Sequence, residues 1–143
     1  MKTIAKTLGE MRKTLATPES WNGGYMAADE NNSKVSVLNP DACKFCLMGA
    51  AAKALAVPGV TKSYEANRFT FVEESEVGKL LVAVIQGRGL GYETHRSSDL
   101  IWMFNDQLNN RATIHLACSL EEAHAEVLDV LDEAYQHAVA AGV

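Results

Sequence analysis

The sequence is poor in the features that mark secreted and membrane proteins. It has only three cysteines in 143 residues, and an odd count of this kind is a poor basis for a disulfide framework. No stretch approaches the ~20 apolar residues that span a bilayer. The first residues, Met1 to Lys6, contain no apolar run of the kind found in signal peptides. These absences predict a soluble protein of the reducing cytoplasm, with no membrane partner.

The chain also lacks a basic face. It carries 13 Lys and Arg against 18 Asp and Glu, and its formal net charge is -5. A general phosphate binder needs clustered positive charge, so no nucleic-acid partner is predicted. The acidic residues are concentrated in 119–143, where Lys and Arg are absent, whereas residues 1–16 are mainly basic. This complementarity predicts that the two terminal helices lie near each other, although surface ion pairs add little stability.

The apolar pattern predicts a mainly α fold in a single compact domain over residues 1–143. A chain of this length that is 48% hydrophobic, with only three prolines, has the composition of one globular domain. Helical spacing of apolar residues predicts about five helices. Their expected positions are residues 3–16, 40–56, 75–86, 100–106 and 120–140. Serine caps are predicted at the starts of the last three helices, at Ser75, at Ser97 and Ser98, and at Ser119 in a capping box with Glu122. Weaker alternation in residues 34–38 and 69–72 predicts a minor two-stranded β element.

The segment 40–56 is predicted to be the central helix. Asn39 and Pro40 form a helix-start signal, and the run that follows is nearly all apolar and small, which is typical of a buried helix. We expect the first and last helices to flank it. Gly49 within this run predicts a close crossing with another backbone.

The cysteines allow a metal-binding interpretation. Cys43 and Cys46 have C-x-x-C spacing, and His115 with Cys118 would complete a tetrahedral zinc set. The first pair lies inside a predicted helix rather than on a tight turn, so packing of the thiols as small hydrophobic groups is favoured. A thioredoxin-type redox pair would need a βαβ context that the sequence lacks. No metal and no cofactor is therefore predicted.

A cysteine nucleophile is the enzymatic alternative. Cys46 or Cys43 lies near a predicted helix start, and His95 or His115 is available as a base, with a later Asn-Asp pair to orient it. Such an arrangement would suit a small hydrolase or transferase. Any chain with three cysteines and four histidines offers such triples. Whether the protein is an enzyme therefore stays open.

Aromatic and polar residues compose a second candidate site. Trp102 and Phe104 lie two apart on a short predicted helix, so one is expected in the core and the other at the surface or in a site. A polar turn is predicted directly after them, at residues 105–110. An anchored polar cluster beside an aromatic wall is the usual composition of a small-ligand site. The predicted ligand-binding residues are Trp21, Trp102, Asn105, Asp106 and Arg111.

These blocks resemble a family of small, functionally uncharacterised proteins from bacteria and their phages. The resemblance rests on Trp21 with its glycine turn, on the run from Phe45 to Ala50, and on an aromatic-Asn-Asp block followed by an arginine. It covers roughly residues 5–138 and implies no activity. It implies that Asn105 and Asp106 satisfy the backbone of the Trp21 loop. The positions that it singles out are Trp21, Cys46, Gly49, Asn105, Asp106 and Arg111.

In the absence of a convincing catalytic set, we expect a non-enzymatic binding or regulatory protein. The partner would be a protein or a small-molecule ligand, and a phage-encoded protein would act on a host protein in the host cytoplasm. The acidic last helix suits a basic partner surface. The sequence allows a homo-oligomer and does not identify the partner.

Overall fold

The structure, a computed structural model, describes residues 2–89 and 97–143. It is mainly α-helical, with one two-stranded antiparallel sheet. The helices of these residues are α1 (Ile4–Thr14), α2 (Leu47–Leu55), α3 (Ser63–Ala66), α4 (Phe69–Glu73), α5 (Glu76–Gly87), α6 (Ser97–Thr113) and α7 (Leu120–Ala141). A 3-10 turn (Pro18–Ser20) and the strands β1 (Ala27–Ala28) and β2 (Lys44–Phe45) complete the list. The predicted fold class, mainly α with a minor β element in one compact domain, is confirmed, with seven described helices instead of about five.

Local capping signals correctly predicted where two helices begin. Ser75 accepts a hydrogen bond from Gly78 N at the start of α5, at 2.9 Å. Ser119 accepts from Glu122 N at the start of α7, and the Glu122 carboxylate accepts from Ser119 N in return, which completes a capping box. The predicted helices at 3–16, 75–86 and 120–140 are confirmed to within two residues at each end.

The two terminal helices pack against each other, as their opposite charges predicted. Ala5 N donates to the Val143 carbonyl at 3.0 Å, and the Arg12 guanidinium lies 2.6 Å from the Asp132 carboxylate. That ion pair is about half exposed, so it adds less than about 1 kcal/mol. Helix α1 also packs against α2, whereas α7 packs mainly against α1, α5 and α6. Helices α1 and α6 each contact both α2 and α7, whereas α2 and α7 are not a main packing pair, so the prediction that the last helix flanks the 40–56 segment is wrong.

The segment 40–56 does not form one helix. Asn39 Oδ1 accepts from Asp41 N at 2.8 Å, which makes a turn rather than a helix start. Residues Lys44–Phe45 then extend as β2, and α2 begins only at Leu47. The predicted helix start at residue 40 is wrong because the Asn-Pro-Asp sequence is compatible with an Asx turn as well as with a helix N-terminus. Burial of the helix itself is confirmed, since seven of its nine residues are buried.

The predicted strands at 34–38 and 69–72 are also wrong. In the sheet, β1 pairs with β2, and Ala27 lies opposite Phe45. Lys34 forms only an isolated bridge with Ala28. Residues Phe69–Glu73 form helix α4, whose Val72 is fully buried. Aromatic and β-branched residues favour strands, but packing against the core decides the conformation of such a short segment.

Helix α6 continues through the predicted polar turn. It runs without interruption for 17 residues, so residues 105–110 are helical, and the predicted helix end near 106 is wrong. Helix propensity of single polar residues is a weak signal that tertiary contacts override. The predicted serine caps at Ser97 and Ser98 involve side chains that lie outside the described residues. None of the described helices combines the length and the apolar character needed to cross a bilayer.

The close crossing predicted at Gly49 is confirmed. A Cβ atom built on Gly49 would lie 1.7 Å from the Met26 carbonyl oxygen. The first turn of α2 therefore touches the backbone that leads into β1. This contact holds the loop before β1 close to α2, where the loop forms one side of a cleft.

Replacement of Gly49 by alanine should lower the free energy of unfolding by about 2 kcal/mol or more, because the added methyl group meets backbone. Gly9→Ala is the matched control, since no atom lies within 4 Å of its added Cβ in α1. It should leave stability unchanged or raise it by up to about 1 kcal/mol. Urea denaturation of both variants measures the difference. Equal stability of the two would contradict the close crossing.

Candidate functional site

An open cleft of about 640 Å³ lies between the loop before β1, the segment after it, and helices α2, α4 and α6. This volume is in the range of small-molecule sites, roughly 300–1,000 Å³. The wall is mostly apolar, and its side chains include two of the predicted site residues, Trp102 and Asp106. Aromatic rings, one carboxylate and one ammonium group thus share one concave surface. Its aromatic and charged lining residues are Tyr25, Lys34, Phe69, Trp102 and Asp106.

Helix α6 supplies one wall of the cleft. Trp102 and Asp106 are four residues apart, so they project from the same face of the helix, one turn from each other. Both are partly exposed and line the cleft. Phe104 points elsewhere and is only 1% exposed. The prediction that one of the two aromatic residues is core and the other is at the surface or in a site is confirmed.

Asn105, which lies between Trp102 and Asp106 in the sequence, is fully buried and forms several hydrogen bonds. Its Oδ1 accepts from Trp21 Nε1 at 2.7 Å and from Leu47 N at 2.9 Å. Its Nδ2 donates to the Asn22 carbonyl at 3.0 Å and to the Asp106 carboxylate at 3.1 Å. A single amide therefore ties α6 to the Trp21 loop and to the start of α2.

Asp106 extends this network to the surface of the cleft. Its Oδ1 accepts from Gly24 N at 3.1 Å as well as from Asn105. Its Oδ2 accepts no hydrogen bond from any residue that the structure describes. Asn105 and Asp106 together satisfy backbone groups of the Trp21 loop, which confirms that implication of the family resemblance.

Trp21 supports the cleft from the core and does not line it. It is 3% exposed, and its ring centroid lies 6.0 Å from that of His124. The His124 ring, at Nε2, makes a 2.5 Å hydrogen bond with the Leu15 carbonyl. Trp21 lines a separate cavity of about 400 Å³. Its indole N–H holds Asn105, so its place in the site is indirect.

Arg111 does not join the polar cluster. The prediction placed it beside Asn105 and Asp106 because a turn was expected there. In a continuous helix, six residues after Asn105 correspond to a rotation of roughly 240°, which points the side chain away. Arg111 is exposed and lies outside the lining of the cleft. The predicted compact cluster of the three residues is therefore corrected.

Cys46 lies at the floor of the cleft as the N-cap residue of α2. Its Sγ accepts from Gly49 N at 3.2 Å, and it is 5% exposed. Burial raises the pKa of this thiol to about 12, and the negative charge of Asp106 adds to the rise, whereas the bond from Gly49 N opposes it. The group is therefore a neutral thiol at physiological pH.

Asp106, from the proposed orienting pair, lines the cleft with Cys46, but no other cysteine and no histidine of the described residues does so. Cys43 is exposed, Cys118 is partly buried, and His115 is exposed. Across residues 2–89 and 97–143, no three His, Cys, Asp or Glu side chains are placed to hold a metal ion. His95, the other candidate base, lies outside the described residues.

Sequence reasoning missed Lys34 and Phe69 as lining residues of the cleft. Both belong to the segments that were assigned to strands, and no motif marks either of them. Their place depends on how α4 and the segment after β1 fold around α6, which is a long-range property. Trp102 and Asp106 could be found because an aromatic residue beside a polar Asn-Asp pair is the usual composition of a small-ligand site.

The fold and the cleft define a small α-helical protein in which a buried asparagine fixes the wall of a solvent-open cleft. The chain belongs to a family of unknown function, DUF6197, whose sequence model matches residues 1–137. The predicted membership of an uncharacterised family is thereby confirmed. No curated protein and no solved structure matches the chain significantly.

Asn105→Ala should destabilise the protein by about 3 kcal/mol, because it leaves the buried Trp21 and Leu47 N–H groups unpaired, at about 1–3 kcal/mol each. Asn110→Ala, on the same helix, is the control, since no hydrogen bond of its side chain occurs within the described residues. That variant should change stability by less than about 0.5 kcal/mol. Denaturant unfolding, followed by Trp fluorescence, compares them. Similar losses in both variants would refute the central role of Asn105.

Alkylation of the native protein should discriminate among the cysteines. With a pKa near 12, Cys46 has roughly a thousandfold less thiolate at pH 8 than a thiol with a pKa near 9. We expect iodoacetamide to label the exposed Cys43 and to leave Cys46 unlabelled until the protein is unfolded. Peptide mass spectrometry locates the label. Rapid labelling of Cys46 at pH 6 would instead indicate an activated nucleophile.

Proposed function

We propose that the protein is a non-enzymatic binding protein that takes a small organic ligand into the cleft. The observation that carries this proposal is that Trp102 and Asp106, one turn apart on α6, both line a cleft of about 640 Å³. An apolar wall with a few fixed polar groups is the usual composition of a small-molecule site.

Hydrogen bonds within the protein hold Asp106 in place on the wall, which supports binding. Asp106 is held by Gly24 N and by Asn105, and Asn105 is itself buried and fully hydrogen-bonded. Binding therefore needs little ordering of these side chains, and ordering is one of the main costs that reduce affinity. Trp102 adds a large aromatic surface at a small entropic cost.

The state of Cys46 favours binding over catalysis. A thiol attacks as its thiolate, and burial together with the nearby Asp106 charge disfavours that form. No histidine of the described residues lines the cleft. The alternative of a cysteine-dependent hydrolase or transferase keeps one supporting feature, since Cys46 lies at a helix start inside the cleft. The alkylation experiment above separates the two proposals.

The same proposal includes a regulatory role, a cytoplasmic location and a phage origin. They rest on the scarcity of cysteine and on the resemblance to bacterial and phage proteins. The acidic α7 offers a surface for a basic protein partner. Part of that charge is already paired within the chain, since Asp132 meets Arg12 and Glu133 lies 3.7 Å from Arg88. These pairs favour the cleft over α7 as the primary site.

A thermal-shift screen of small organic molecules tests the proposal, with native mass spectrometry of freshly isolated protein to detect a co-purified ligand. A cleft ligand should raise the unfolding temperature of the wild type. Trp102→Leu should weaken its binding about tenfold, because aromatic contacts are worth roughly 1 kcal/mol.

Tyr135→Leu is the matched control for that substitution. Tyr135 is an aromatic residue on α7 with 40% exposure, and it does not line the cleft. This variant should bind the ligand like the wild type. If Trp102→Leu also binds like the wild type, or if neither method finds a ligand, the cleft is not the functional site.

A further inference from the structure

We propose that the ligand of the cleft is an organic ammonium ion with an apolar body, an inference that rests on the proposed function of the cleft. Three aromatic side chains line the same concave surface as the carboxylate of Asp106, which forms no ion pair within residues 2–89 and 97–143. This combination is how proteins recognise alkylated or organic ammonium groups, because the ring faces and the carboxylate both attract positive charge.

Asp106 is the first part of the argument. None of the ion pairs of the described residues includes it, although it lies in a mostly apolar wall. Its Oδ1 is occupied by Gly24 N and Asn105, which leaves Oδ2 as an acceptor without a described partner. A carboxylate that is fixed in place and has no counter-ion among the described residues favours a cationic ligand, since opposite charges attract each other more strongly beside an apolar wall than in bulk water.

The aromatic side chains are the second part. Tyr25 and Phe69 are 46% and 43% exposed, and Trp102 is partly exposed. Elsewhere in the chain, cations of the protein cover ring faces: Lys53 lies 4.8 Å from the ring centroid of Phe45, and Arg68 lies 5.7 Å from that of Tyr64. No such pair within the described residues involves the three rings of the cleft. The cations of the described residues therefore leave the faces of these three rings open.

Lys34 also lines the cleft and carries the opposite charge. Its side chain is exposed, so solvent and salt screen its charge more strongly than that of the partly buried Asp106. Asp106 therefore determines the sign of the electrostatic potential in the cleft. A ligand that carries a carboxylate in addition to its ammonium group meets Lys34 favourably, whereas an anion without an ammonium group meets Asp106 repulsively.

Three probes with the same phenyl body test the inference: 2-phenylethylamine, 2-phenylethanol and phenylacetate. Titration of the wild-type protein at low salt, followed by calorimetry and by the NMR signal of the Trp102 indole, should show the amine binding at least tenfold more tightly than the alcohol. Phenylacetate should bind most weakly. Equal affinity of the amine and the alcohol, or tighter binding of phenylacetate, would overturn the inference and leave the proposed cleft function standing. If none of the probes perturbs Trp102, the inference is tested by the charge of the ligand that the thermal-shift screen identifies. A cationic ligand supports the inference, and a neutral or anionic ligand overturns it.

Asp106→Asn isolates the charge. The substitution keeps the shape and an oxygen that can accept from Gly24 N, so the alcohol should bind as in the wild type while the preference for the amine falls about tenfold. Asp129→Asn makes the same change of charge at an exposed position of α7 that does not line the cleft, and it should keep the preference. Retention of the preference in Asp106→Asn would overturn the inference.

A salt titration of the wild type provides a second measurement that needs no variant to fold. Raising the ionic strength should weaken binding of the amine and leave binding of the alcohol unchanged, because only the former depends on the charge of Asp106. The same weakening for both probes would contradict an electrostatic basis of selectivity.

Discussion

The structure around the cleft depends on one buried amide. Asn105 uses its two donors and two acceptor positions at once, and each bond reaches a different group: the Trp21 indole, Leu47 N, the Asn22 carbonyl and the Asp106 carboxylate. Loss of a partner would leave polar groups without water in the core, at about 1–3 kcal/mol each. All four bonds are satisfied in this arrangement of α6, α2 and the Trp21 loop, so the amide favours the way in which these three elements meet.

The cleft follows from that constraint together with one steric contact. Gly49 lets the first turn of α2 touch the Met26 carbonyl, and Asp106 holds Gly24 N from the other side. The loop before β1 is therefore fixed between α2 and α6. Because residues of this loop line the cleft, these core contacts help to set its shape.

Local signals predicted some of this arrangement, and long-range contacts decided the rest. Helices α5 and α7 could be located because hydroxyl caps and apolar spacing act within a few residues. The helical state of 105–110 could not, since the polar residues there also suit a turn, and it is the bonds of Asn105 to distant groups that favour the helix. The wrong prediction that Arg111 lies beside Asn105 and Asp106 follows from the turn that was predicted at residues 105–110. The link between Asn105 and the Trp21 loop was found by resemblance, because no periodicity relates residues that are 84 positions apart.

The catalytic and the binding proposals make opposite demands on the same electrostatic field. A nucleophilic Cys46 needs surrounding positive charge to stabilise its thiolate, whereas burial and the Asp106 carboxylate raise the pKa of the thiol and outweigh the bond from Gly49 N that lowers it. In the proposed site, the same carboxylate, beside the aromatic rings of the cleft, would stabilise a cation. A negative field above a neutral thiol therefore suits a site that holds a cation more than one that generates an anion. This opposition is the physical reason for which we favour binding as the function of the cleft.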